Sequence, residues 1–212
     1  MRVLYAEHSS LLAARSLTYA EISSRFSGFL AILSASVIAL ALVAQAVHFT
    51  STFIGIAILI LTIVLFVGVT TVGRLIALNL ENLRWVSGMN RLRRAYLEKS
   101  PDLEPYFITD SHDDALGIMV TLGFDSVPSR GPGSVFEGLQ TMPGTVGALV
   151  AVVAGALLGL IAIALAVPEV VVVVAAGGTF ALTFTAFAIW GQRAFSRHVA
   201  RLQAHFPRPD EP

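Results

Sequence analysis

Asp110, His112, Asp113 and Asp114 form the only dense cluster of potential metal ligands in the sequence. Carboxylate oxygens together with one imidazole nitrogen are suited to a divalent cation. The glycine and the distal glutamate of an EF-hand do not follow at the required spacing, however. We therefore favour a second interpretation, in which Ser111 and Asp114 cap a short helix and the acidic side chains complement its dipole.

The other motifs in the sequence predict no catalytic site. Gly131-Pro132-Gly133 is not followed by the Gly-Lys-Ser/Thr sequence of a phosphate-binding loop. The chain has no cysteine, which excludes disulfides, thiolate metal sites and cysteine nucleophiles. We expect no catalytic residue, no cofactor and no bound metal, and no nucleic-acid partner, since no nucleic-acid-binding motif is recognisable.

Hydropathy predicts the elements that position these residues. The 212 residues are 55% hydrophobic and 13% charged, whereas an ordinary soluble domain is about 25% charged. Four apolar runs reach the length of about 20 residues that a membrane-spanning helix needs, and they cover residues 26–47, 53–72, 145–167 and 170–190. The sequence therefore predicts an all-α, polytopic membrane protein whose four transmembrane helices form two hairpins.

All 14 Lys and Arg residues lie on one side of these runs. They precede the first run, lie between the second and third, or follow the fourth, and none lies in the connections 48–52 and 168–169. Loops rich in Lys and Arg remain in the cytoplasm. We therefore expect a multi-pass protein of the bacterial inner (plasma) membrane with both termini and the central loop cytoplasmic.

Caps and prolines predict the segment boundaries. Ser9 or Ser10 is expected to cap an amphipathic helix that enters the membrane. The second span is expected to continue as one helix to about Lys99, where Ser100 and Pro101 end it. The predicted order is a cytoplasmic N-terminal helix (1–25), hairpin 1 (26–73), a cytoplasmic helix and loop module (74–142), hairpin 2 (143–191) and a basic cytoplasmic tail (192–212).

Small residues recur every three or four positions along the third span, which places them on one face of a helix. Such a stripe lets two backbones approach closely, and close packing drives helix association in lipid. We favour a partner helix in the same chain over a helix of a second copy. This small-residue stripe comprises Gly144, Ala148, Ala151, Gly155, Gly159 and Ala162, and it extends to Ala166.

Trp85, Met89, Leu92 and Tyr96 fall on one face of the predicted helical extension of the second span. An apolar face of this size must be covered by something. The sequence leaves two covers open: the loop of residues 100–124, or a partner, either a cytoplasmic protein or a second copy in a homo-oligomer. We call these four residues the Trp85 stripe.

Arg193, Arg197 and Arg201 repeat every four residues after the fourth span. A helix with this pattern is suited to lie near the bilayer, with its cations among anionic lipid headgroups. A solvated continuation of the span is the alternative. We call these three residues the arginine face, and we expect the lipid bilayer and its anionic headgroups to be partners of this chain.

The stretch RWVSGMNRLRRAY, from Arg84 to Tyr96, is followed by Pro101, by Tyr106-Phe107 and by the polar residues 111–114. This combination resembles a block found in uncharacterised bacterial four-span integral membrane proteins. The resemblance covers most of the chain and implies its fold and location, and it implies no activity.

The apolar runs contain almost no ionisable residue, which argues against an ion-coupled transporter. Our leading expectation is a non-enzymatic membrane scaffold or sensor that acts through the module of residues 74–142. The alternative is an oligomeric channel whose pore is lined by the threonines of the second or fourth span. A third hypothesis is a lipid-headgroup enzyme that uses the polar cluster at residues 110–114.

Overall fold

The structure is a computed structural model that describes residues 2–124 and 141–208. It is 86% helical and contains no strand in those residues. Four of its helices are long and apolar enough to cross a membrane, as the sequence predicts. The Gly131-Pro132-Gly133 motif and Arg130 lie outside the described residues.

The described helices are α1 (Arg2–Val47), α2 (Ser51–Lys99), a 3₁₀ helix (Pro101–Tyr106), α3 (Ala115–Thr121), α4 (Met142–Ala164) and α5 (Glu169–Arg201).

The start of α1 differs from the sequence prediction. The helix begins at Arg2 and continues through Ser9 and Ser10, so the prediction that one of these serines caps the helix is wrong. The residues between positions 3 and 8 include no glycine or proline, and leucine, alanine and glutamate among them are good helix formers. Nothing in that stretch interrupts the helix before the serines.

The end of α2 agrees with the prediction. One helix runs from Ser51 to Lys99, and the 3₁₀ helix begins directly after it at Pro101. Proline disfavours a helical conformation of the residue before it and lacks an N–H donor of its own. Ser100 accordingly has the non-helical dihedral angles φ −147° and ψ 77°.

The described residues divide into two units. The apolar unit contains the described residues 22–76 and 141–192, and α4 provides most of its buried residues. In its most apolar stretch, 56% of the residues of α4 are buried in the protein, against 0% for α5. Since lipid is an apolar solvent, the exposed valines of α5 need no protein cover in a membrane.

The central part of the small-residue stripe packs against α5 of the same chain. Ala151, Gly155, Gly159 and Ala162 are buried, whereas Gly144 and Ala148 are half-buried. A Cβ atom added at Gly155 would lie 2.8 Å from the carbonyl oxygen of Ala176, and one at Gly159 would lie 3.5 Å from the Ala176 Cβ. Contact this close requires glycine at position 155.

Gly155→Ala is expected to destabilise the apolar unit by about 1–3 kcal/mol, because the new methyl group meets a backbone oxygen that has little room to move. Gly178→Ala is the matched control, since a Cβ there meets no atom within 4 Å. The free energy of unfolding in detergent measures both. Equal stability of the two variants would contradict the packing of α4 on α5.

Candidate functional site

The polar unit contains the described residues 2–21, 77–124 and 193–208. Its small core combines side chains from three helices. Leu83 and Val86 of α2 lie with Ile118 and Met119 of α3, and the half-buried Phe195 and Leu202 pack against them. The apolar side of the basic tail, at Phe195 and Leu202, therefore packs against the protein.

Two residues of the Trp85 stripe, Trp85 and Tyr96, contact the first part of α1. The indole Nε1 of Trp85 donates to Thr18 Oγ1 at 3.1 Å, and the rings of Tyr96 and His8 lie 6.3 Å apart. Met89 and Leu92 are buried, while Trp85 and Tyr96 are half-buried. The two covers expected from the sequence, the loop of residues 100–124 and a partner, did not include α1, and a partner for this face stays a prediction. Helical periodicity identifies a face that needs a cover but not the segment that supplies it.

Asp113 accepts three hydrogen bonds, from two distant parts of the chain. It is fully buried, and its Oδ1 accepts the backbone N–H of Phe206 at 2.8 Å. Its Oδ2 accepts the backbone N–H of His205 at 2.9 Å and Nε of Arg91 at 2.6 Å. One carboxylate therefore joins α2 to the segment that follows α5.

Asp114 caps α3 and also binds the same segment. Its Oδ1 accepts the N–H of Gly117 at 2.6 Å, and its Oδ2 accepts the N–H of Arg208 at 2.9 Å. The helix begins at Ala115 with Asp114 at the N-cap position, so the predicted cap at Ser111 is wrong. Aspartate is as good an N-cap as serine, and here it satisfies two donors that are far apart in sequence.

Asp110 completes this group of carboxylates. Its Oδ1 accepts the N–H of His112 at 2.8 Å and lies 2.7 Å from the Nδ1 of the same residue. Its Oδ2 pairs with the guanidinium of Arg208. Arg91 adds a donor of its own, because its Nη2 donates to the carbonyl oxygen of Gln203 at 3.0 Å. We call Arg91, Asp110, Asp113 and Asp114 the carboxylate cradle, and residues 203–208 the docked segment.

Asn90 holds the cradle in place from within α2. It is fully buried and donates to the carbonyl oxygens of His112 at 2.7 Å and Gly117 at 3.2 Å. Its Oδ1 accepts from Arg93 Nη1 at 2.6 Å and from Thr121 Oγ1 at 3.1 Å. The amide therefore uses both its donor and its acceptor capacity within the protein.

Sequence reasoning did not identify Asn90, Arg91 or Gly117 as members of a site. A Cβ at Gly117 would lie 2.3 Å from the carbonyl oxygen of His112, so this position needs glycine. A glycine inside a short helix and an asparagine inside a long one are both unfavourable by propensity. Gly117 and Asn90 were therefore the two positions at which the sequence could have indicated a site.

Burial and hydrogen bonding act in opposite directions on the two buried carboxyl groups. Burial by itself raises the pKa of Asp113, but the N–H groups of His205 and Phe206 together with Arg91 lower this pKa below its usual value. Burial likewise raises the pKa of Asp110, and its bonds with His112 and Arg208 lower that pKa overall. Both groups are therefore carboxylates at neutral pH.

The carboxylates of the cradle bind backbone N–H groups and arginine side chains. Each of its carboxylates accepts hydrogen bonds from protein N–H groups. Among the described residues, no group of three or more His, Cys, Asp and Glu side chains is placed to hold a metal ion. The geometry supports a structural or binding role for residues 110–114.

The arginine face lies on the outside of the polar unit. Arg193, Arg197 and Arg201 are exposed, and none of them pairs with a carboxylate in the part of the chain that the structure describes. His198, after the apolar run of α5, lies near Arg201 and near a further cation, Arg84: burial, then the charges of these two arginines, lower its pKa. The surface around the end of α5 is therefore positively charged.

Comparison with protein-family models, curated proteins and solved structures finds no match for this chain. The family resemblance of residues 84–114 therefore stays a prediction, and the site is interpreted from its own geometry.

Asp113→Asn is expected to cost the polar unit about 2–5 kcal/mol at pH 7, because a buried charged acceptor and its ion pair are lost. The folded pKa of Asp113 is lowered, so its stabilisation is complete above the ordinary pKa of about 3.9 and is lost as pH falls through the lower folded value. The difference between wild type and variant should therefore narrow below about pH 4.

Denaturant unfolding followed by Trp85 fluorescence in a Trp190→Phe background measures this difference across pH. Asp102→Asn is the control, because Asp102 is exposed. A constant difference between pH 7 and pH 3 would show that the carboxylate form of Asp113 does not carry the effect.

Proposed function

We propose that this protein is a non-enzymatic membrane scaffold or sensor whose polar unit responds to anionic lipid headgroups. The observation that carries the proposal is that the two sides of the end of α5 differ: one side is apolar and packed, and the other is basic and exposed. Phe195 and Leu202 pack into the polar unit, while the arginine face is exposed and unpaired among the described residues. The exposed charged side chains of this helix end are all cations.

The sequence order on α5 supports a position close to a bilayer. Trp190 ends the apolar run, and Arg193 follows three residues later on the same helix. A helix rises about 1.5 Å per residue, and tryptophan is enriched at the membrane interface. In the orientation that we propose, with both termini cytoplasmic, the first arginines are at headgroup depth in the inner leaflet of the bacterial plasma membrane.

A response to lipid follows from the contacts at the end of α5. Each arginine near an anionic surface gains about 1 kcal/mol, and this attraction acts on the side of the helix opposite to Phe195 and Leu202. It therefore opposes the packing of these two side chains. The docked segment begins two residues after Arg201, so strain on the helix end loosens its bonds to the carboxylate cradle.

The competing functions have less geometric support. The hydroxyl groups of Thr70 and Thr185 donate to carbonyl oxygens of their own helices, so these side chains need no water-filled pore. An enzyme acting through residues 110–114 would need free carboxylates, and the described contacts of Asp113 and Asp114 occupy theirs.

The orientation predicts the accessibility of single cysteines, which the cysteine-free chain allows. Thr50→Cys should react with a membrane-impermeant thiol reagent in intact cells, and Ser129→Cys and Pro209→Cys should react only after permeabilisation. The inverse pattern would overturn the proposed orientation.

The sensor predicts that anionic lipid loosens the docked segment. Phe206 is half-buried while its N–H is bonded to Asp113, so the rate at which Phe206→Cys reacts with a maleimide rises when the segment is released. We expect this rate to rise at least about fivefold when phosphatidylglycerol replaces part of the phosphatidylcholine in nanodiscs, since the gain of even one arginine, about 1 kcal/mol, corresponds to a factor of about five. Replacing Arg193, Arg197 and Arg201 with glutamine should abolish the rise.

Arg94→Gln is the matched control, since Arg94 is already paired with Glu98, and it should retain the lipid effect. An identical rate in all lipids would overturn the sensor. Reproducible ion flux through liposomes containing the purified protein, abolished by a substitution at Thr70 or Thr183, would instead support the channel.

A further inference from the structure

We propose that the carboxylate cradle is a binding site for a non-helical peptide, and that the docked segment of the same chain is its resident, displaceable occupant. The ligand class is a peptide with an arginine two residues after an aromatic residue, supplied by a protein partner. This inference goes beyond the proposed function and does not depend on a response to lipid.

The first observation is that the cradle recognises main-chain groups. The N–H groups of His205, Phe206 and Arg208 each donate to a cradle carboxylate. The carbonyl oxygen of Gln203 accepts from Arg91 at 3.0 Å. Recognition through the backbone is shared by many peptide-binding sites and places few demands on the sequence of the ligand.

The second observation is a side-chain contact that gives selectivity. The guanidinium of Arg208 pairs with Asp110 Oδ2, and Asp110 is itself fixed by two bonds with His112. A guanidinium suits a carboxylate better than an ammonium does, because it presents several donors in a fixed plane. The site therefore favours arginine at this position of the ligand.

The third observation is that the cradle has supports independent of the docked segment. Asn90 holds the backbone of His112 and Gly117, and Asp114 caps α3 through Gly117. These bonds persist when residues 203–208 leave. Departure would remove the two N–H donors that residues 205 and 206 give to Asp113. A vacated cradle therefore favours a replacement with the same donors.

The docked segment is joined to the unit by a short connection. Helix α5 ends at Arg201, and residues 202–204 are neither helix nor strand. Arg208→Glu in the full-length chain places a negative charge beside Asp110 and Asp114 and should release the segment while leaving the cradle unchanged. Faster maleimide labelling of Phe206→Cys, a position that is half-buried in the docked segment, checks the release in this background.

The probe is a fluorescent peptide with the sequence of residues 202–208, titrated into the Arg208→Glu protein in nanodiscs and followed by anisotropy. We expect saturable binding, weakened at least about tenfold by Asp110→Asn in the protein or by Arg208→Glu in the peptide, the change that one charged hydrogen bond produces. The wild-type protein should bind the peptide more weakly than the Arg208→Glu protein, because its own segment competes.

A thermal unfolding transition in each variant establishes that it is folded. If the segment is released and the peptide does not bind, the proposal is wrong. It is equally wrong if neither Asp110→Asn in the protein nor Arg208→Glu in the peptide changes the affinity, because the peptide would then bind outside the carboxylate cradle. If Arg208→Glu fails to fold, Arg208→Gln replaces it with the same expected ranking.

Discussion

The polar unit depends on one buried carboxylate. Asp113 is fully enclosed, and a charge in that position is stable only when hydrogen-bond donors surround it. Its donors come from the side chain of Arg91 and from the backbone of residues 205 and 206. The charge therefore ties α2 and the residues before α3 to a segment that is about ninety residues away in sequence.

Asn90 and Gly117 bring that carboxylate into position. The amide of Asn90 fixes the backbone on both sides of Asp113, and only a glycine at position 117 leaves room for the carbonyl of His112. The apolar contacts of Ile118 and Met119 with α2 then set the position of α3. Hydrogen bonds and apolar packing therefore both stabilise α3, which is only seven residues long.

The sequence predicted the parts of this protein that follow from local pattern. The four long apolar helices, the continuation of α2 to Lys99 and its end at Ser100-Pro101 all follow from hydropathy and proline geometry. The start of α1 and the cap of α3 were predicted wrongly, because several serines and aspartates are equally competent caps. Local propensity does not choose among them.

The carboxylate cradle could not be predicted, because its partners are separated by a long stretch of chain. The residues at 110–114 stood out as a cluster of potential ligands, yet their actual donors are backbone N–H groups, which every residue except proline possesses. Similarly, the pattern of the Trp85 stripe showed a face that needed cover without indicating that Trp85 and Tyr96 contact α1. Function remains a proposal for the same reason: no local motif carries it.

Hydrogen exchange of individual backbone amides tests the central role of Asp113 most directly. The amides of His205 and Phe206 bond to its carboxylate, whereas no hydrogen bond to the nearby amide of Ala204 is found within the described residues. The account predicts exchange at least about tenfold slower at positions 205 and 206 than at 204, after correction for intrinsic rates, because exchange requires a charged hydrogen bond to open. Equal exchange at all three positions would contradict it.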